Sequence, residues 1–284
     1  MTPSDATDWL PLALRGDPLL HAALTAAEAA RAVIAAGALS RDTLVWESKS
    51  ALDYVSDVDR GAEHAIRAVL AEQLPDAQII GEEFSPDAVA GEAITFVVDP
   101  LDGTTNFLHG FPWYAVSIGV LSAGTLLAGV VHNAATGELF AARHDQGAWR
   151  RTQAGGAERI QVSRIVDPSH ALIGTGFPFK HRELIAPYLE QFARIAESTA
   201  GMRRPGAAAL DLCDVACGRY EGFWELRLAP WDVAAGICIL REAGGRATDL
   251  SGAPARIETG PVVASNGALH DWLLGTLGGG PVGR

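Results

Sequence analysis

The most restrictive feature of this sequence is an apolar run that ends abruptly in two acids, in the segment 95–107, TFVVDPLDGTTNF. Its first residues are β-branched and aromatic, a composition typical of a buried strand. Asp99 and Asp102 follow, ahead of a glycine and residues suited to begin a helix. Because α/β folds build their sites at the carboxyl ends of strands, the segment predicts an α/β fold with an acidic site at this strand end.

Pro100 fixes the backbone between the two acids, so we expect Asp99 and Asp102 to face one point, with the carbonyl of Leu101 as a further oxygen donor. Mg²⁺ prefers oxygen ligands of this kind and leaves room for water and phosphate. Taken alone, an Asp-Pro-x-Asp-Gly stretch is equally typical of a surface turn with an acidic cap.

Two further acids favour the metal site over the surface turn. Glu82 follows the apolar run Ile79–Gly81, and Asp232 stands in the first turn of the apolar helix predicted after Pro230. A single acid at a helix start is usually a cap. Three acidic strand ends or helix starts in one chain indicate a shared cation site.

The charge balance is consistent with such a site. The chain of 284 residues has 22 Lys+Arg and 34 Asp+Glu, a net charge of −12, which has the wrong sign for holding a polynucleotide by counterion release. We therefore expect no nucleic-acid partner, and a small anionic substrate that reaches the acids by way of metal ions. Cys213, Cys217 and Cys238 are expected to be free thiols.

The N-terminal segment has no basic region followed by an apolar run, as a secretory signal would have. No stretch of 18 uninterrupted apolar residues occurs, so no membrane partner is expected. We expect a cytoplasmic protein.

Periodicity predicts helices and strands in alternation. Helices are expected over 20–39, 57–74, 182–199, 207–217 and 231–243. Strands are expected over 78–81, 94–98, 115–121, 126–132, 138–143, 171–174, 222–226, 246–248 and 262–264. Residues 46–55 are expected to be a mobile loop or hairpin. We divide the chain into an N-terminal extension (1–19), an α+β lobe with the metal site (20–152), an α/β lobe with substrate contacts (153–275) and a flexible tail (276–284).

Three stretches, GEE at 81–83, DPLDGTTNF at 99–107 and WDVAAG at 231–236, resemble in order and spacing the signatures of the inositol monophosphatase family. That family belongs to the lithium-sensitive, magnesium-dependent phosphatases. The resemblance covers roughly residues 20–270. It implies a five-layer αβαβα sandwich of the α/β (α+β) class, as in inositol monophosphatase and fructose bisphosphatase, and a homodimer.

The resemblance also implies roles for individual residues. The metal ligands would be Glu82, Asp99, the Leu101 carbonyl, Asp102 and Asp232, which would hold two to three Mg²⁺ per subunit. Thr104 and Asp59 would orient and deprotonate the attacking water, with Glu82 sharing the role of base. A threonine before a helix is also a plain cap, which is the alternative for Thr104.

Substrate contacts are implied for a second set of residues. The backbone N–H groups of Gly103 and Thr104 would bind the phosphate, and Asp102 and Asp232 would also contact the substrate. The turn Gly206, Ala207 and Ala208 would face the ring, and Glu225 would accept hydrogen bonds from ring hydroxyls. Arg203 would be either a substrate contact or part of an ion pair at a dimer interface. Lys49 is either a loop residue that contributes to a third metal site or a solvated surface lysine.

The resemblance thus implies Mg²⁺-dependent hydrolysis of inositol monophosphate to inositol and phosphate by metal-activated water. Relatives with similar metal motifs act on fructose 1,6-bisphosphate, histidinol phosphate or bisphosphate nucleotides, and these remain alternatives. A phosphatase-like scaffold with a partner-binding role is a further alternative from a different class.

Overall fold

The computed structural model describes residues 6–41, 46–50, 53–87, 90–152 and 154–278, and for residues 46, 48–50 and 53–55 it describes the backbone alone. Two large β-sheets and a small hairpin account for the strands within these ranges. The hairpin pairs β1 (Trp46–Ser50) with β2 (Asp53–Ser56).

Seven strands form the first sheet, and they follow one another in space as they do in the sequence. They are β3 (Gln78–Gly81), β4 (Thr95–Asp102), β5 (Ala115–Ser122), β6 (Thr125–Asn133), β7 (Leu139–Arg143), β8 (Gly147–Arg151) and β9 (Ala157–Ile160). Strand β3 runs parallel to β4, and every later neighbour is antiparallel. Short connections therefore join most of this sheet as a meander.

Five strands form the second sheet: β10 (Leu172–Thr175), β11 (Gly201–Arg203), β12 (Gly222–Leu228), β13 (Arg246–Thr248) and β14 (Gly260–Ser265). Their order in space is β11-β10-β12-β14-β13. Strand β10 is parallel to both β11 and β12, whereas β14 is antiparallel to its two neighbours.

The described helices are α1 (Pro18–Ala38), α2 (Asp57–Gln73), α3 (Thr104–Leu108), α4 (Ile185–Ala196), α5 (Ala208–Ala216), α6 (Pro230–Glu242) and α7 (His270–Thr276). Helices α1 and α2 pack on the outer face of the first sheet, and α5 and α6 lie between the two sheets. Helices α4 and α7 pack together and cover the outer face of the second sheet, where Tyr188, Ile195 and Leu273 share a core with Trp224. The predicted five-layer αβαβα sandwich is confirmed.

Strand β4 is buried at every position because helices cover both faces of its sheet. Helix α6 lies unusually close to that sheet. A Cβ added at Gly119 would stand 2.5 Å from Cβ of Ala234, and one added at Gly129 would stand 2.6 Å from the carbonyl oxygen of Ala235. The two glycines therefore set the depth at which α6 sits on β5 and β6.

The predicted strands and helices are present, with shifted ends. The helix predicted over 182–199 is shorter, because a 3₁₀ turn over Arg182–Leu184 precedes α4. Strands β8, β9 and β11 were not predicted. Strands β8 and β9 have the sequences GAWRR and AERI, whose charged residues interrupt the apolar run that would have indicated a strand.

The predicted loop or hairpin over 46–55 is a hairpin where it is described, and residues 51–52 and the side chain of Lys49 lie outside the described part. The division into lobes stays a prediction. Its boundary falls between β8 and β9, where residue 153 is not described. Leu10 and Leu14 of the predicted N-terminal extension are buried in the same core as α1. Within the predicted tail, residues 279–284 lie outside the described ranges.

Helix α1 is, by length and composition, apolar enough to cross a membrane. Half of its apolar window is buried inside the protein, where Leu24, Ala27 and Ile34 are fully covered. The core helix of a globular protein has the same properties.

Candidate active site

The two acids of the 95–107 segment are brought together by an irregularity in β4. Pairing between β4 and β5 runs regularly as far as Asp99 and resumes at Asp102 after a register shift. Pro100 lies inside this shift, where a strand tolerates a residue without an N–H group. The Asp99 carboxylate folds back over the bend, since its Oδ1 accepts a hydrogen bond of 2.9 Å from Leu101 N. The sequence thus bends the strand end so that both acids reach one cavity.

That cavity has a volume of about 500 Å³, within the range of metabolite sites. The four acids predicted as metal ligands line it, as do the other candidate residues of the same region. These lining residues are Glu82, Asp99, Leu101, Asp102, Gly103, Thr104, Gly206, Ala208, Glu225 and Asp232.

The acids repel one another strongly in the protein alone. Burial, and then the neighbouring Glu82, Asp102 and Asp232 carboxylates, hold the pKa of Asp99 well above its usual range. Burial and Asp232 do the same to the pKa of Asp102. Four carboxylates and a backbone carbonyl form an all-oxygen donor set, and a divalent cation among them would relieve this repulsion. The residues present therefore fit a hard metal ion such as Mg²⁺.

The backbone around Glu82 is held on both sides. Glu82 N donates to Val98 O at 3.2 Å, which continues the β3–β4 pairing. On one side, Glu83 N donates to Oε2 of the fully buried Glu63 at 2.8 Å. On the other, Gly81 N donates to Oγ of Ser85 at 3.0 Å. Arg67 donates to both supports, to Glu63 Oε1 at 2.8 Å and to Ser85 Oγ at 2.5 Å.

Asp232 and Asp102 are each anchored at a helix start. Asp232 Oδ2 accepts a hydrogen bond of 2.6 Å from Ala229 N, so the acid caps α6 while it lines the cavity. Asp102 Oδ2 accepts a hydrogen bond of 2.8 Å from Ala209 N in the first turn of α5. Each carboxylate is thus hydrogen-bonded to the backbone at a helix start, which fixes its orientation at the cavity.

Thr104 connects the site to α2. Its Oγ1 lies 2.9 Å from Oδ1 of Asp59 and 3.1 Å from the carbonyl oxygen of Leu101. The other oxygen of Asp59 accepts hydrogen bonds from Ser56 N at 2.8 Å and from Ser56 Oγ at 2.6 Å, which complete the cap of α2. Burial raises the pKa of Asp59 above its ordinary value, and the hydrogen bonds from Ser56 oppose that shift.

The loop after β4 makes close contacts with the turn that precedes α5. Gly103 has φ of 91°, and a Cβ there would lie 2.9 Å from the carbonyl oxygen of Trp113. Its position requires glycine. Asn106 Nδ2 donates to the carbonyl oxygens of Trp113 at 2.7 Å and Pro205 at 2.9 Å. Asn106, which the sequence analysis did not single out, therefore joins the metal end of the cavity to the turn at 206–208.

Glu225 lines the cavity from β12. Burial, and then the charge of Asp232, raise the pKa of Glu225 to about 8, although Arg204 opposes the shift. The carboxylate of Glu225 lies directly against Gly176, where any Cβ would overlap it. Gly176 is therefore the residue that makes room for Glu225.

Three of the candidate residues do not line the cavity. Asp59 reaches it through Thr104, and Ala207 is buried as the N-cap residue of α5. Arg203 was an expected substrate contact, and this expectation needs correction. Its Nη1 donates to the carbonyl of Met202 at 2.9 Å, and it is the following residue, Arg204, that lines the cavity. Adjacent side chains on an extended segment point in opposite directions, so only one of the two arginines faces inward.

The cavity also has a group of residues that sequence reasoning missed. Phe177, Phe179, Lys180, His181, Arg204 and Arg227 line it. All but Arg227, which lies in β12, are outside the helices and strands, so no periodicity could have indicated a shared site. The scarcity of lysine offered one signal, because Lys180 is one of only two lysines in the chain.

The sequence model of the inositol monophosphatase family matches residues 16–279. The chain belongs to the inositol monophosphatase family. It is 41% identical over 264 residues to the Nus factor SuhB of Pseudomonas aeruginosa, covering 92% of this chain and 96% of that protein. It is also 41% identical over 242 residues to the inositol-1-monophosphatase of Rhizobium meliloti, covering 83% and 89%.

A solved structure agrees with this membership. The extragenic suppressor protein suhB from Bartonella henselae superposes with a TM-score of 0.83 at 36% identity, covering 91% of this chain and 98% of that one. Membership of the inositol monophosphatase family supports a phosphatase activity. The relatives bear two kinds of name, so the family alone does not fix the substrate.

Proposed function

We propose that this chain is a magnesium-dependent phosphomonoesterase that hydrolyses inositol monophosphate to inositol and phosphate. The observation that carries the proposal is the convergence of Glu82, Asp99, Asp102 and Asp232 in one cavity, beside the hydrogen-bonded pair Thr104 and Asp59. Membership of the inositol monophosphatase family supports the same chemistry.

The four carboxylates and the Leu101 carbonyl would hold two to three Mg²⁺ ions. These ions, when bound, would supply positive charge for the phosphate oxygens and acidify a water molecule in the site. Burial and then mutual repulsion raise the pKa values of Asp99 and Asp102, and a cation bound among these carboxylates would relieve the repulsion. The net charge of −12 gives the protein as a whole no positive field to attract a phosphate ester, so the positive charge at the metal end must come from bound cations.

Thr104 and Asp59 act on the attacking water. The Thr104 hydroxyl donates its proton to Asp59, so its oxygen is left as an acceptor for a water proton. As the water attacks phosphorus, its proton passes to Thr104 Oγ1 while the Thr104 proton moves to Asp59. The raised pKa of Asp59 makes it a better base than an exposed aspartate, and Glu82 is a second acceptor at the site.

The other end of the cavity binds the alcohol part of the ester. Glu225 accepts hydrogen bonds from ring hydroxyls, and the small residues at 206–208 admit the ring close to the backbone. Gly103 and Thr104 contribute backbone N–H groups to the phosphate. Fructose 1,6-bisphosphate, histidinol phosphate and bisphosphate nucleotides are alternative substrates, because the metal end is compatible with any phosphate ester.

A partner-binding role is a second candidate function. It is supported by the relatives that are named Nus factor SuhB, which match this chain over as much of its length as the inositol monophosphatases do. We further propose a cytoplasmic homodimer that is inhibited by lithium, as the family resemblance implies, with no nucleic-acid or membrane partner.

The direct test is phosphate release from inositol 1-phosphate with and without Mg²⁺, on the wild type and on Asp99→Asn. The wild type should require Mg²⁺, and the variant should lose activity because a buried ligand no longer carries charge. Equal rates for the two proteins would refute the proposed chemistry. A protein with no Mg²⁺-dependent activity on any phosphate ester would leave the partner-binding role as the better candidate.

A further inference from the structure

The Arg204 side chain packs against two aromatic rings at the cavity. Its guanidinium carbon lies 4.9 Å from the ring centroid of Phe177 and 5.9 Å from that of Phe179. Both phenylalanines line the cavity and remain partly exposed to solvent, at 45% and 37%. Cation–π contact of this kind holds a long side chain in one place while its N–H groups stay uncovered.

Arg204 has no protein partner for its N–H donors within the described part of the chain. Among the residues that the structure describes, none forms a hydrogen bond or a salt bridge with this guanidinium. Its neighbour Arg203 differs, since Nη1 of Arg203 donates to the carbonyl of Met202. A guanidinium has five N–H donors in a fixed fork that matches the oxygens of a carboxylate or a phosphate. The guanidinium N–H groups of Arg204 are therefore available to a ligand that enters the cavity.

The charge of Arg204 acts on the Glu225 end of the cavity. Burial raises the pKa of Glu225 to about 8 and holds that of the buried Asp211 well above its usual range, and the positive charge of Arg204 opposes both rises. The strongest influences on the pKa values of Asp99 and Asp102 are burial and other acids. Lys180 and Arg227 line the same cavity. In a chain with 22 basic residues and a net charge of −12, three permanent cations around one site are a marked local excess.

We propose that Arg204 is a specificity-determining residue that binds a second anionic group, a phosphate or a carboxylate, carried by the substrate away from the scissile phosphate. The inference rests on the phosphomonoesterase chemistry of the proposed function and moves the preferred substrate beyond inositol monophosphate, which has no second anionic group. Glu225 accepts hydrogen bonds and suits hydroxyl groups, whereas the guanidinium is a donor alone and is strongest with an anion. The preferred substrate is therefore a polyol phosphate that bears a further acid group.

The experiment uses two matched pairs of phosphate esters, and within each pair one member has the additional anion. Sorbitol 6-phosphate is compared with 6-phosphogluconate, which tests a carboxylate. Inositol 1-phosphate is compared with inositol 1,4-bisphosphate, which tests a phosphate. The proteins are the wild type, Arg204→Gln, Arg204→Lys and Arg203→Gln, where Arg203→Gln is the control because it removes the adjacent exposed arginine that does not line the cavity.

In at least one pair, the wild type should have a higher kcat/KM for the ester with the additional anion. The difference should come from a lower KM for that ester. Arg204→Gln should reduce that preference by about tenfold or more, the range expected for a charged hydrogen bond. Arg204→Lys should recover part of it, since the charge returns without the fork. Arg203→Gln should keep the wild-type preference. The pair of esters whose preference depends on Arg204 shows whether the second anionic group is a carboxylate or a phosphate.

Binding of the same four esters is measured by calorimetry with Ca²⁺ in place of Mg²⁺, which tests Arg204 independently of turnover. The inference is overturned if Arg204→Gln keeps the wild-type preference in both kinetics and binding, or if Arg203→Gln changes it equally. Failure of the proposed function looks different: the wild type would hydrolyse none of the four esters with Mg²⁺, while the calorimetric comparison would still decide the role of Arg204.

Discussion

The Thr104 hydroxyl donates a hydrogen bond of 2.9 Å to Oδ1 of Asp59, although the two residues are 45 positions apart in the sequence. Asp59 is in turn part of the cap of α2, where Ser56 holds its other oxygen. The start of a helix on the outer face of the first sheet is thereby tied to the loop that presents the acids. We propose that this pair activates the attacking water, and its contribution to kcat is measurable.

Removal of the Thr104 hydroxyl should lower kcat more than it changes KM. We expect Thr104→Ala to reduce kcat by roughly 10²–10⁴, the usual contribution of general base catalysis, and Thr104→Ser to retain most of it because the hydroxyl remains. Steady-state phosphate release from inositol 1-phosphate measures the effect. If Thr104→Ala were as active as the wild type, Thr104 would have only a structural role at the start of α3.

Neutralising Asp232 should weaken metal binding without unfolding α6. Asn at this position keeps an oxygen for the hydrogen bond from Ala229 N but loses the charge. Calorimetric titration with Mn²⁺ or Mg²⁺ should give a loss of affinity of at least tenfold, with an unchanged melting temperature in the absence of metal. The matched control is Asp57→Asn, a first-turn acid of α2 whose side chain is 79% exposed. Equal affinities for the two variants would remove Asp232 from the ligand set.

The residues that hold the backbone around Glu82 should affect metal affinity although they are not metal ligands. Glu63→Gln and Ser85→Ala weaken the hydrogen bonds from Glu83 N and Gly81 N that hold the backbone on each side of Glu82. Supporting residues of metal ligands typically contribute about 10–100-fold to affinity or activity. We expect a shift of that size in the Mg²⁺ concentration for half-maximal activity and in direct Mn²⁺ binding. A loss of stability with unchanged metal affinity would contradict the role.

Gly176→Ala should change substrate preference through Glu225. The added methyl group would overlap the Glu225 carboxylate, which must then move. We expect kcat/KM for inositol 1-phosphate to fall about tenfold, as the loss of one hydrogen bond to the ring predicts, while hydrolysis of p-nitrophenyl phosphate changes little. Glu225→Gln is the companion variant and should alter the same ratio. A uniform loss on both substrates would show that Glu225 does not contact the ring.

The buried His132 should make the protein sensitive to acid. Burial lowers the pKa of His132 from 6.5 to about 4, so between these values the unfolded chain takes up a proton that the folded protein resists. Its contribution to stability is present above pH 6.5 and is lost as the pH falls toward 4. The shift corresponds to about 3 kcal/mol of unfolding free energy. Urea unfolding at several pH values should show a shallower acid loss for His132→Leu, and identical slopes would refute the assignment.

Local sequence was sufficient to predict the strand end at Asp99 and the acids at Glu82 and Asp232, because each lies at the junction of an apolar run and a polar turn. The pairing of Thr104 with Asp59 was available only through the family resemblance, since nothing local joins residues 45 positions apart. The sequence does not indicate which of Arg203 and Arg204 lines the cavity. That depends on the course of an irregular backbone segment and on the aromatic rings of another loop that pack against Arg204.

The two glycines beneath α6 have a consequence for how this protein tolerates variation. Gly119 and Gly129 are inside the first sheet, yet they set the depth of the helix that begins beside Asp232. Enlarging either residue would lift that helix and carry one acid out of register with the other three. Such a variant would lose its capacity for cations while its sheets remained intact, so loss-of-function changes in this protein should also arise at glycines far from the reacting atoms.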